Sequence, residues 1–245
     1  MPYADLGDVT IHYEESGDGP LAFVYCHGLG SNGDGFVDEF GFWRQHFDRV
    51  LTWDNRGLGR SSRADDYSLP LYASDLARLL DERGIQQAVA LGVSWGGVVV
   101  QQFAIDHGER CAAIIIDSSS SEVNLASSEG WYRQGEDAPS GRVGERTIEP
   151  QHRESFIASA RAVAGLREHP LTQRLSGITC PALIVAGGQD TVTGGAGGSV
   201  IMARILPNSR LHIFQDGTHA IYAHKRDEFR ALVTEFCREQ AIIAA

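Results

Sequence analysis

The strongest constraint on this chain is the stretch from Ala88 to Val100, AVALGVSWGGVVV. A short apolar run, Ala88 to Leu91, meets Gly92-Val93-Ser94-Trp95-Gly96, and a second apolar run follows. The first run reads as a buried strand and the second as a helix, so G-x-S-x-G falls on a strand-to-helix reversal. Gly92 and Gly96 remove side chains where such a turn crowds its own backbone. Ser94 then sits at the apex with its hydroxyl exposed. The helix opening at Trp95 aims free N–H groups and a positive dipole end at the same place. A serine so held can attack a carbonyl and have the resulting oxyanion stabilised. The motif alone also fits a glycine-rich turn with an incidental serine, so residues elsewhere must decide.

The rest of the chain repeats the strand pattern. Tyr3 to Leu6 and Val9 to Glu14 read as an edge hairpin. LAFVYC (Leu21 to Cys26), RVLTW (Arg49 to Trp53), CAAIII (Cys111 to Ile116), PALIVA (Pro181 to Ala186) and RLHIF (Arg210 to Phe214) read as further strands. The continuous apolar runs among them predict burial on both sheet faces. Helices are expected from Pro70 to about Arg83, from Trp95 to about His107, from about Ser199 to Leu206, and from Tyr222 to about Glu239. Between Ser118 and Gly177 the chain turns polar and rich in Gly and Ser, with one good helix pattern, Gln151 to Arg167. SSSSEVNLASSEG and GEDAPSGRVGER read there as loops. The expectation is an α/β core from residues 1–117 and 178–245, and a short cap insertion at 118–177. The core would be a mostly parallel sheet with helices on both faces.

At 245 residues the chain is long enough for one such domain, and 42% hydrophobic with 22% charged residues is ordinary for a water-soluble fold. A formal net charge of −11 argues against nucleic acid or an anionic membrane surface as partner. No apolar run is long enough to span a bilayer. The opening MPYADLGDVT has neither a basic nor an apolar leader region, so no secretory signal is expected. Four scattered cysteines without a C-x-x-C pair suit reduced thiols in a cytoplasmic protein, either a monomer or a homodimer.

Candidate chemistry gathers where predicted strands end, the usual location for sites on parallel sheets. Ser94, Asp190 and His219 each follow a strand, in the chain order Ser, acid, His. Serine needs an imidazole to take its proton, and the imidazole needs a carboxylate to fix its tautomer. With His27-Gly28, Asp54-x-Arg56-Gly57-x-Gly59-x-Ser61, Gly92-x-Ser94-x-Gly96-Gly97 and Gly187-x-x-Asp190, the chain resembles the α/β-hydrolase fold superfamily, in its esterase and lactonase-like branch. That resemblance implies a mostly parallel eight-stranded sheet with a small cap. It also implies an oxyanion hole from the backbone N–H groups of Leu29 and Trp95. His27, Trp131 and Tyr132 are candidates for the substrate pocket. One departure is Thr218 directly before the histidine, where glycine is common; a small local shift is expected.

Other residues are weighed against these. Gly28, Gly30 and Gly33 spell G-x-G-x-x-G with Asp54 beyond, but the following DGFVDEFGFWRQHF makes a poor helix, which disfavours a dinucleotide site. Asp117 is the alternative acid. Asp216 suits a turn, His107 a helix end, and His212 and His224 suit structural or exposed positions. Cys26 suits a buried thiol. No His or Cys cluster has metal-ligand spacing, so neither metal nor cofactor is expected. The expected activity is cofactor-free hydrolysis of a small ester or lactone. A carbon–carbon (diketone) hydrolase acting on a ketone substrate, or a low-turnover ligand receptor, would carry the same triad.

Overall fold

A computed structural model describes residues 2–193 and 195–244. The strands are β1 (Tyr3–Asp5), β2 (Thr10–Gly17), β3 (Leu21–Cys26), β4 (Arg49–Trp53), β5 (Gln87–Val93), β6 (Cys111–Asp117), β7 (Arg142–Val143), β8 (Arg146–Thr147), β9 (Ala182–Gly187) and β10 (Ser209–Phe214). The helices are α1 (Phe40–Trp43), α2 (Leu69–Glu82), α3 (Trp95–Asp106), α4 (Leu125–Asp137), α5 (Arg153–Gly165), α6 (Gly197–Ile205), α7 (Ile221–His224) and α8 (Arg226–Glu239). Eight strands form one sheet in the order β1-β2-β4-β3-β5-β6-β9-β10. The β1–β2 and β2–β4 pairs are antiparallel; every later pair is parallel. The sheet is therefore eight-stranded and mostly parallel, with helices on both faces.

The period of two along each strand divides the core. Ala22, Val24 and Cys26 of β3 face the same side as Ala88 and Ala90 of β5, Ile114 and Ile116 of β6, and Ile184 of β9. Helices α2 and α3 cover that side through Leu76, Leu79, Val99 and Phe103. Phe23 and Tyr25 point the other way, with Val89, Leu91, Ile115 and Val185, against Trp43, Phe229 and Phe236. A one-residue slip of any central strand would exchange these sets, so the apolar pattern fixes register.

Two predicted loops are structured. SSSSEVNLASSEG runs into helix α4, which starts at Leu125. The Asn124 side chain caps it, accepting from Ser127 N–H at 2.9 Å. The helix then leans on α5, where Ser128 Oγ donates to the Ala164 carbonyl at 2.9 Å. Its sequence lacks a clear apolar stripe because contact with α5 uses small and polar residues, including Gly135. GEDAPSGRVGER forms the end of α4, a short 3-10 turn and the β7–β8 hairpin. The predicted last helix is two helices, broken at Lys225 (φ −118°, ψ 45°).

Candidate active site

Ser94 directly follows β5 with φ 55° and ψ −116°, a conformation that side chains avoid, and Trp95 opens α3 one residue later. The turn closes only with glycine on either side. A Cβ on Gly92 would fall on the Gly96 carbonyl, and one on Gly96 would fall on the Cys26 carbonyl. The Ser94 N–H donates to the Asp117 carbonyl at 2.9 Å, tying the apex to the end of β6.

The His27-Gly28-Leu29 loop stands beside this apex. A Cβ at Gly28 would sit 3.8 Å from Ser94 Cβ. The fully buried His27 holds the loop: its Nε2 accepts from Asn55 N–H at 3.0 Å, so Nδ1 carries the proton and donates to the Gly28 carbonyl at 2.8 Å. Burial lowers its pKa, which keeps the ring neutral. His27 is thus a loop brace, and its expected place in the pocket wall is corrected. Asn55 supplies a link that sequence spacing did not signal. Its Oδ1 accepts from Trp95 Nε1–H at 3.0 Å, joining the two segments that carry the Leu29 and Trp95 amides.

Asp190 and His219 meet across the ends of β9 and β10. His219 Nδ1 lies 2.9 Å from Asp190 Oδ2. Asp190 Oδ1 accepts from Val192 and Thr193 N–H at 2.8 and 3.1 Å, and Oδ2 accepts from Thr193 Oγ1 at 2.7 Å. Burial pushes this carboxyl up, but the His219 and Thr193 hydrogen bonds and the nearby imidazole outweigh it and bring its pKa to about 2. An anionic Asp190 accepts the hydrogen bond of Nδ1–H, which keeps the proton on that nitrogen and leaves Nε2 with its lone pair free. The Gly187-to-Asp190 turn needs its first glycine because a Cβ there would strike the Gly217 and Thr218 carbonyls.

The residues after His219 are pinned to the end of β6. Asp117 Oδ1 and Oδ2 accept from Ile221 and Tyr222 N–H at 3.2 and 3.0 Å, and Ser118 Oγ accepts from Ala220 N–H at 3.2 Å. Asp117 therefore touches the turn that carries Ser94 with its backbone and the loop that carries His219 with its side chain. It is fully buried, and burial raises its pKa to about 6 despite those donors. Among the described residues no hydrogen bond joins the Ser94 hydroxyl to His219.

Ser94, Leu29 and Trp95 share the wall of a cavity of about 290 Å³. Val98, Val123, Val163, Leu166 and Ile201 give it an apolar lining, and Trp131 joins them from α4. Tyr132, also expected there, points away: it is 47% exposed and outside the lining, because adjacent helical positions face different sides.

The remaining candidates are occupied otherwise. Asp54 is buried and accepts from Gly33 N–H at 2.7 Å, Arg60 N–H at 2.8 Å and His12 Nδ1 at 3.0 Å, so it braces the neighbouring loops and is not presented to a ribose. Cys26 is buried, accepts from Trp53 Nε1–H at 3.3 Å, and has its thiol pushed up to about 12. Asp216 pairs with Lys225, and His224 Nδ1 lies 2.6 Å from Thr218 Oγ1. His212 packs on Phe214. Among the described residues no group of His, Cys, Asp and Glu has the arrangement of a metal site, and no helix is long and apolar enough to cross a membrane.

Known proteins agree with this architecture. The family model described as alpha/beta hydrolase fold matches residues 22–145. The chain is 26% identical to a putative carbamate hydrolase RutD of Azorhizobium caulinodans, over 98% of this chain and 99% of that protein. It is also 26% identical to 3-oxoadipate enol-lactonase 2 of Acinetobacter baylyi, over 85% and 86%. A thermophilic esterase from Thermogutta terrifontis superposes with a TM-score of 0.80 at 22% identity, covering 97% of this chain and 96% of that one. The chain belongs to the alpha/beta hydrolase fold family and is a hydrolase, in a family that acts on small-molecule substrates.

Proposed function

We propose that this protein cleaves a carboxylic ester or lactone through an acyl-enzyme on Ser94. His219 is the general base, Asp190 fixes its tautomer, and the Leu29 and Trp95 N–H groups receive the oxyanion. The observation that carries the reading is the 2.9 Å contact from His219 Nδ1 to Asp190, which leaves Nε2 unprotonated on a loop tied to the Ser94 strand. Nε2 takes the Ser94 proton as Oγ adds to the carbonyl. The tetrahedral oxyanion collapses, and the alcohol leaves with the proton from His219. Water gives its proton to the same nitrogen and attacks the acyl carbon; the Oγ–acyl bond then breaks, Ser94 regains its proton from His219 and the acid is released. Each oxyanion donor contributes about 3 kcal/mol to lowering the barrier.

Residues 118–177 act as the cap, since Trp131, Val163 and Leu166 from that segment wall the cavity above Ser94. Four free thiols, at Cys26, Cys111, Cys180 and Cys237, support a reducing compartment such as the cytoplasm. The test is hydrolysis of p-nitrophenyl acetate by Ser94→Ala. Activity should vanish with the circular dichroism spectrum unchanged. Undiminished turnover by a folded variant would refute the assignment. A diketone panel run beside the esters separates this chemistry from carbon–carbon hydrolysis, which uses the same three groups.

A further inference from the structure

The cavity over Ser94 is small and electrically one-sided. Its volume of about 290 Å³ lies at the lower end of ligand sites, about 300–1,000 Å³. Among the described residues its wall holds one charged side chain, Glu122, and no lysine, arginine or histidine. Glu122 Oε2 accepts from Thr172 Oγ1 at 2.6 Å; among the described residues no cation pairs with Glu122 and no protein group donates to Oε1. Asn124, Ser127 and Trp131 reach the cavity from one face of α4, with Glu122 two residues before the cap. Ser119, 4% exposed, adds a hydroxyl that has no partner of its own. The Arg146 guanidinium, 3.5 Å from the Leu29 carbonyl, does not line the wall.

We propose that this cavity selects esters bearing an ammonium group, with Glu122 as the residue that sets the preference. A substrate carboxylate would lose its water and face a like charge with no counter-ion. A quaternary ammonium meets the opposite: a wall whose one charged side chain among the described residues is acidic and has an unpaired oxygen, with the aromatic Trp131, a residue type that attracts cations, in the same wall. The protein's net charge of −11 also draws cations from solution.

The inference rests on the Ser94 reading, and the test keeps the two apart. Three p-nitrophenyl esters of matched shape are compared: 4-(trimethylammonio)butanoate, neutral 5,5-dimethylhexanoate, and the glutarate half-ester. A second arm compares acetylcholine with 3,3-dimethylbutyl acetate, which moves the cation to the alcohol side. In at least one arm the cationic ester should exceed its neutral match in kcat/KM by about tenfold or more, and the glutarate should fall below both. Glu122→Gln should bring the cation-to-neutral ratio close to one. If that variant does not fold, the wild type serves: tetramethylammonium should inhibit neutral-ester hydrolysis competitively, whereas acetate should not. Equal or lower turnover of the cation in both arms, a ratio that survives in Glu122→Gln, or no inhibition by tetramethylammonium overturns the proposal. Calorimetry of butyltrimethylammonium with Ser94→Ala covers the remaining case. Binding there without ester turnover by the wild type would refute the ester and lactone reading and leave the cavity's preference for an ammonium group standing.

Discussion

Asp190→Asn isolates the contact on which the proposed chemistry turns. Oδ1 of Asp190 accepts two backbone N–H groups, from Val192 and Thr193, at 2.8 and 3.1 Å. An asparagine must keep its oxygen there, because an amide nitrogen would face two donors. Its NH₂ is then forced into the Oδ2 position, 2.9 Å from His219 Nδ1. That amide donates, so Nδ1 must accept, and the imidazole proton moves to Nε2. The base now presents a proton to Ser94 where it needs a lone pair. The same exchange in serine proteases lowers kcat by about 10⁴, or about 5.5 kcal/mol of barrier, through this wrong tautomer. Stability should change little. Two of the four bonds remain, and Thr193 Oγ1, now 2.7 Å from Oδ2, can turn from donor to acceptor. A net change of about 1 kcal/mol would move Tm by about 2–4 °C. The assay is steady-state hydrolysis of p-nitrophenyl acetate alongside thermal unfolding, with Asp117→Asn as comparator. A folded Asp190→Asn within tenfold of wild type refutes the reasoning. A 10⁴ loss in Asp117→Asn with little loss in Asp190→Asn would transfer the acid to the end of β6.

Two further outcomes test the frame around the site. Arg56 is buried and bidentate to the buried Asp75, at 2.6 and 2.7 Å. Arg56→Ala should cost about 3 kcal/mol, at the low end for a broken buried pair because Arg78 still reaches Asp75 at 2.6 Å. Thermal unfolding should show a fall of about 6–12 °C; a fall under 2 °C would contradict the buried-pair reading. Asp117 supplies a pH signature. Its folded pKa is raised from 3.8 to about 6, so between those values the folded chain holds a proton that the unfolded chain has released. Its contribution to stability is fully present below about pH 4 and is lost as pH rises through about 6. Urea titrations should show wild type losing about 2–3 kcal/mol relative to Asp117→Asn between pH 4 and pH 7. A difference that does not vary with pH would contradict it.

The sheet was legible because its strands carry one signal each. LAFVYC, CAAIII and PALIVA are apolar on both faces, and only a central parallel strand buries both. The glycines around Ser94 were legible because a Cβ at Gly92 or Gly96 meets backbone that cannot move aside. Helix α4 was hidden: its cap is a single Asn, and its buried face is made of Ser128 and Gly135, which no hydrophobic pattern registers. The cavity wall was hidden for a different reason. Val98, Val123, Val163 and Ile201 come from four separate elements or loops, and nothing in their spacing says that they meet. His27 and Tyr132 show the limit of carrying a motif into a pocket. The first spends one ring nitrogen on its own loop and the other on the Asn55 N–H of the loop after β4, and the second is one helical step past the residue that faces inward. Asn55 acts through hydrogen bonds to the His27 and Trp95 side chains, and Asp117 through bonds to the distant Ile221 and Tyr222 backbone, which become visible only when the loops are side by side.

Reaction with a fluorophosphonate, read by intact mass and peptide mapping, asks directly whether the three loops form one catalytic unit. The wild type should gain a single adduct on the Ser94 peptide, while His219→Ala and Asp190→Asn, both folded, label at least about 100-fold more slowly. Labelling of Ser94 at the wild-type rate in folded His219→Ala, or a wild type that takes the probe elsewhere, would mean that the imidazole does not serve the hydroxyl at the turn.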